Sequence, residues 1–256
     1  MADHVLVAVD GPHAQITLDA PERLNAVDAA MLDALAEAVL ELGPGPGVRV
    51  ISLTGSGRGF CSGASLSDLS HGNADTATLT AAGRAIRALV GCPVPVVALV
   101  NGVAAGVGCS LALATDYVLA TESASFMLAF TRIGLMPDGA ATALVAASVG
   151  RARAMRMALT AEKVPAGTAH EWGLIAEVCP DAEFAVRGAA VVQALAAGAT
   201  AAFGATTRAI NAATLPDLDG ALAREEDGQT RLLTTDDFRE GAAAFGERRP
   251  ARFLGR

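Results

Sequence analysis

Two glycine-rich loops hold most of the chemistry that can be read from this chain. The first, GSGRGFCSGASL at residues 55–66, leaves the apolar run VISLT and leads toward a helical start near Ser65. Its glycines let the backbone turn sharply and aim N–H groups at a ligand, and a helix N-terminus adds a partial positive charge, a combination that suits an oxyanion. A tight strand-to-helix turn with no ligand has the same composition. The second loop, VNGVAAGVGCSLAL at residues 100–113, repeats the order of strand, glycine turn and helix. Two such turns can converge and supply paired N–H donors that stabilise an enolate, because they are in place before charge develops. Two sharper readings of the first loop compete. As a dinucleotide loop, Gly55 and Gly57 lack a third glycine in the right place and an acidic residue ending a second strand. As a nucleophile elbow, Gly59 to Gly63 would present Cys61, with Asp138 and then His170 downstream in the order such a triad requires. His71 lies in a polar segment after the first loop, where an exposed histidine is most simply inert. His170 reads as a helix-end residue, and Asp116 and Glu122 as solvated or structural groups beside a strand.

Around these loops the pattern alternates. VLVAVDGPHAQITL predicts two strands, Val5 to Val9 and Ala14 to Leu18, joined by a turn at Asp10-Gly11-Pro12. Asp28 fits an N-cap, and Met31, Leu32, Leu35, Val39 and Leu42 share one helical face until GPGPG stops it. Val48 to Thr54 reads as a strand, Leu79 to Val90 as a helix, Val96 to Val100 as a strand and Gly108 to Ala114 as a small-residue helix. Strands come next near Tyr117 to Ala120 and Ser125 to Leu128, then helices from about Gly139 to Leu159. From Asp181 onward the chain is alanine-rich with helical spacing. The class is α/β, with a helical C-terminal layer and no linker long enough to separate two domains.

Composition limits the partners. At 256 residues and 52% hydrophobic, the chain can bury a sizeable core, which excludes a disordered or fibrous protein. A net charge of −8 without a dense Lys/Arg run argues against nucleic acid and anionic membrane surfaces, so an anionic ligand must be held locally. No charge occurs between Arg87 and Asp116, but Pro93, Pro95 and Asn101-Gly102 break that stretch into strand, turn and buried helix, so no membrane span is expected. The N-terminus lacks signal-peptide character, which predicts a cytoplasmic protein. The four cysteines are too few for a disulfide framework and contain no C-x-x-C pair for a metal, so they are read as ordinary thiols.

The run from NAV at Asn25, through GRGFCSGASLSDL and VNGVAAGVGCSLALATD, to RIGLMPDGAAT and DDFREGAAAFGERRPARFLGR resembles the crotonase family of enoyl-CoA hydratases and isomerases. The likeness spans nearly the whole chain. It implies a spiral of ββα turns over residues 1–195 and a helical trimerisation region over 196–256, giving a homotrimer or homohexamer. The implied ligand is an acyl-CoA thioester; coenzyme A enters as part of the substrate and no separate cofactor is needed.

By the same resemblance, the backbone N–H groups of Ala64 and Val107 are the oxyanion donors, and valine at 107, where glycine is common, narrows the pocket. Ala64, Ser65, Leu66 and Ser67 would line the adenine and pantetheine path, with Ala26 and Ser62 beside it and Phe130 against the acyl group. Arg23, with Arg248 and Arg249, would approach the CoA phosphates. Hydratases of this family place glutamates where this chain has Ser110 and Phe130, so ordinary hydration is not expected to be its reaction. Asp138 lies where several isomerases and a dehalogenase of the family keep a catalytic carboxylate. Pro-Asp-Gly is also a turn signal, so Asp138 could equally cap the following helix. The readings that remain are an acyl-CoA isomerase using Asp138, a non-catalytic acyl-CoA binder, and a crotonase-like hydratase, thioesterase or dehalogenase.

Overall fold

The computed structural model describes residues 4–43, 45, 47–65 and 76–256. The chain opens with the expected hairpin, β1 (Val5–Asp10) antiparallel to β2 (His13–Leu18). Helix α1 (Ala29–Leu42) starts where Asp28 was expected to cap it, the carboxylate accepting the Met31 N–H at 2.9 Å. Strands β3 (Val50–Gly55) and β4 (Gly59–Cys61) precede α2 (Ala77–Val90). The order repeats as β5 (Val96–Val100), β6 (Val103–Ala105) and α3 (Val107–Leu113), and again as β7 (Tyr117–Thr121), β8 (Ser125–Met127) and α4 (Ala141–Thr160). The uncharged stretch thus holds the expected strand and buried helix, and between them a second strand, β6, where only a turn was expected. Among the described residues no single helix is long and apolar enough to cross a membrane.

In each repeat the first strand joins one sheet and the second strand another. The larger sheet has the order β1-β2-β3-β5-β7-β10, and the smaller has β4-β6-β8-β9. Strand β9 (Val164–Pro165), helix α5 (Ala166–Trp172) and β10 (Glu177–Cys179) close the spiral. Beyond them come α6 (Phe184–Ala197), α7 (Thr200–Thr214), α8 (Leu218–Leu232) and α9 (Asp236–Gly246), with no strand among the described residues. The core lies between the sheets, where Phe60 and Phe126 of the small sheet, both fully buried, join one hydrophobic cluster with Leu53 and Ile51 of the large one. Helix α6 covers the outer face of the large sheet, its Val191 and Val192 packing on Val50 and Val97.

The small sheet sets up the site. Strands β4, β6 and β8 run parallel, Gly59 opposite Val103 and Ala105 opposite Met127. Their C-terminal ends therefore emerge together. They lead, in the same order, into the first glycine loop, the second glycine loop, and a 3₁₀ turn at Ala129–Ile133. Ligands of parallel sheets bind at such ends.

Candidate active site

The first loop is held open by two asparagines. Asn25, fully buried, accepts the Ala20 N–H at 2.8 Å and donates to the carbonyls of Ser56 and Gly59 at 2.9 and 2.8 Å. Asn101 donates to Gly55 and Gly57 at 2.8 and 2.9 Å, so it ties the second loop to the first as well as making a turn. Beyond Cys61 the chain runs beside residues 24–27: Ser62 N–H donates to Leu24, Val27 N–H to Gly63, and Ser65 N–H to Val27. Ala64 is bridged to Val27, and in a parallel bridge of this kind its own N–H points away from the partner. Gly63 (φ 112) and Gly106 (φ 54) take backbone conformations that side chains resist, and a Cβ on Gly63 would crowd the Ala105 carbonyl oxygen at 3.2 Å, so glycine at both positions eases the meeting of the two loops. Val107 opens α3, and its N–H belongs to the first turn, which has no partner within the helix. Among the described residues neither the Ala64 nor the Val107 N–H donates to a protein acceptor.

Both residues line a cavity of about 790 Å³, within the size range of small-molecule sites. Arg23, Ala26, Ser62, Ala64, Ser65, Val107, Phe130 and Asp138 all line it, so eight of the residues singled out from sequence come together in one place. Leu66, Ser67 and His71 lie outside the described residues. Arg248 and Arg249 are not among the lining residues, against expectation; Arg249 instead forms a two-point pair with Glu240 at 2.6 and 2.9 Å. Arg23 holds Asp28 at 3.4 Å at the cavity edge, and Arg132, which sequence reading passed over, also lines the wall.

Asp138 is 8% exposed and its carboxylate Oδ2 accepts from the Gln229 side-chain amide at 2.8 Å. Burial, with the nearby charge of Glu225 adding to it, raises its pKa to about 7, against the pull of the Gln229 hydrogen bond. The cap reading of Asp138 does not hold for its side chain. The start of α4 is served from α8 by Glu225, which accepts the N–H groups of Ala140 at 2.6 Å and Thr142 at 2.8 Å. Ser110, buried on α3, donates its hydroxyl to the Asp138 carbonyl at 2.8 Å, so it fixes the main chain where the resemblance would place a glutamate. Phe130 adds an apolar wall.

The nucleophile elbow fails on burial. Cys61 is fully buried, its thiol pushed up to about 12, and it is absent from the cavity lining. Asp116, raised to about 6 by burial, accepts the Val96 N–H at 2.8 Å and is structural. Sequence reading missed Gln229 and Glu225, which sit among exposed charges in LDGALAREEDGQTRL and look like a solvated helix face.

A spiral of ββα turns whose parallel strand ends bring two glycine loops to the wall of one apolar cavity defines a crotonase-type fold. The family model of enoyl-CoA hydratase/isomerase matches residues 12–256, and the chain belongs to that family. It is 48% identical to a protein of Rhodobacter capsulatus named "Probable enoyl-CoA hydratase", over 95% of each chain. To the 1,2-epoxyphenylacetyl-CoA isomerase of Escherichia coli it is 38% identical over 100% of both. The crystal structure of an enoyl-CoA hydratase from Mycobacterium avium subsp. paratuberculosis superposes with a TM-score of 0.92 at 46% identity, covering 98% of each chain.

Proposed function

We propose that this enzyme isomerises unsaturated acyl-CoA thioesters, with Asp138 as the single acid/base. The carrying observation is a buried carboxylate in the wall of the cavity with a pKa of about 7, close to the value at which one group can both take and return a proton at neutral pH. The carboxylate removes a proton from the carbon alpha to the thioester. The electron pair of that C–H bond moves toward the carbonyl, and the enolate oxygen is stabilised by the N–H groups of Ala64 and Val107. The same carboxylate, now an acid, delivers its proton to the gamma carbon, and the double bond has moved. Hydration asks for a second group to activate water, and Ser110 and Phe130 supply none. Similarity to a named isomerase supports this reading; similarity to a protein named as a hydratase keeps hydration as the outcome to test against.

The experiment is a panel of 3-enoyl, 2-enoyl, aromatic and halogenated aromatic acyl-CoAs, with products identified by mass spectrometry. Shifted double bonds at constant mass support the proposal. Addition of water, loss of halide or release of free CoA would replace it with a hydratase, dehalogenase or thioesterase, and binding without any product would make the protein an acyl-CoA binder. We further propose a cytoplasmic homotrimer or paired trimer built on the helices from residue 196 onward. The exposure of Ile210, Phe245 and Leu254 in the single chain supports that assembly, and light scattering after gel filtration reads it.

A further inference from the structure

We infer that Gln229 is the positioning residue of Asp138: its amide, fixed by Met136, holds one carboxylate oxygen and leaves the other to carry the proton. The inference rests on the isomerase reading above. The amide cannot be turned round, because its Oε1 accepts the Met136 N–H at 3.1 Å, so its NH₂ must face Asp138 Oδ2 at 2.8 Å. Met136 is two residues before Asp138, and Ser110 holds the Asp138 carbonyl at 2.8 Å. The turn is thus gripped at its main chain twice and at its carboxylate once. Among the described residues Oδ1 accepts no hydrogen bond.

That asymmetry matters for the reaction. When a substrate C–H bond breaks, the proton forms its new O–H bond at Oδ1 and the electron pair passes to the thioester oxygen. When the proton returns to the gamma carbon, it leaves from the same atom. Oδ2 accepts from Gln229 in both states, because an amide neither gains nor loses a proton in this range. Gln229 also opposes what surrounds it. Glu225, one turn earlier on α8, is the like charge acting on Asp138; Arg23, Asp28 and Arg132 line the same cavity, while Ser110 on α3 brings no charge. The amide N–H favours the ionised carboxylate against burial and Glu225.

The test uses protein labelled with carboxyl-¹³C aspartate, the Asp138 resonance being the one missing in Asp138→Asn. Its titration is followed in the wild type, Gln229→Met and Gln229→Glu; the glutamate variant keeps an acceptor for the Met136 N–H and so guards against a simple failure to fold. The midpoint is expected to rise by at least about one pH unit in both variants. The acid limb of kcat/KM should move with it, turnover at pH 7 should fall about five-fold or more, and the KM for the CoA ester should stay within about two-fold. Folded variants that titrate like the wild type, or that lose thermal stability with no change in midpoint, would overturn the inference and leave Gln229 a packing residue. The titration needs no substrate, so a wild type inactive across the panel would sink the isomerase reading while the midpoint still decides whether Gln229 controls Asp138.

Discussion

At the scale of the residue, Asp138 stands between two demands. Its folded pKa of about 7 against 3.8 in the unfolded chain means the native state holds a proton the unfolded chain has released between those values. Stability from this group is therefore fully present below about pH 4 and is lost as pH rises to 7; at 1.36 kcal/mol per pH unit the loss is at most about 4 kcal/mol. Asp138→Asn keeps the size of the side chain and can still accept from Gln229. Its urea midpoint should match the wild type near pH 4 and exceed it at pH 8. Equal stability at both values would show that the carboxylate is not strained by burial. The same variant should lose about 10²- to 10⁴-fold in kcat with CoA-ester affinity nearly unchanged, as expected when a general base is removed. Cys61→Ala should retain most of its turnover, because the proposed reaction uses the loop's backbone N–H groups and the thiol is buried packing. Loss of activity there, with the fold intact by circular dichroism, would return the elbow to contention.

At the scale of the element, α8 supplies both Glu225 and Gln229, one helical turn apart, to the start of α4 and the turn before it. Glu225→Gln keeps the shape but weakens charge-assisted bonds to Ala140 and Thr142, and should destabilise by about 1–3 kcal/mol in urea titration. A variant as stable as the wild type would mean those N–H groups find water or another partner. These contacts mark where sequence reading stops. Asp28, the hairpin and both glycine loops were legible because a cap, a turn and a glycine run are local patterns. Gln229 and Asp138 are 91 residues apart, and nothing in the charged spacing of α8 says which of its faces meets a carboxylate. Strands β4 and β6 have three residues each, too short for alternation to show, and both lie inside loops that read as turns, whereas β8 was expected. More than one helix was expected from about Gly139 to Leu159, and α4 spans that range with a break at Gly150, φ 74, although apolar spacing alone did not place the break.

At the scale of the whole molecule, a net charge of −8 surrounds a cavity with two arginines on its wall. A free fatty acid brings a carboxylate into that field with little else to hold it, whereas under the proposed function a CoA ester would add the contacts of its long tail along the cavity wall. Calorimetry should find the CoA ester bound more tightly than its free acid by at least about ten-fold; equal affinity would remove the basis for the thioester assignment. The family resemblance read from sequence corresponds to the family match, and the strand ends explain why distant motifs meet. All four thiols are buried and unpaired, and those of Cys61, Cys92 and Cys109 are pushed to about 11 or 12. Since only a thiolate reaches an alkylating reagent at an appreciable rate, each cysteine stays silent until its part of the chain opens. The molecule carries its own stopwatches. In pulsed alkylation read by mass spectrometry, Cys179 on the edge strand β10 should be tagged first and Cys61 and Cys109, within the two glycine loops, last and together; tagging of Cys61 as fast as Cys179 would mean that the glycine loops open long before the rest of the protein does.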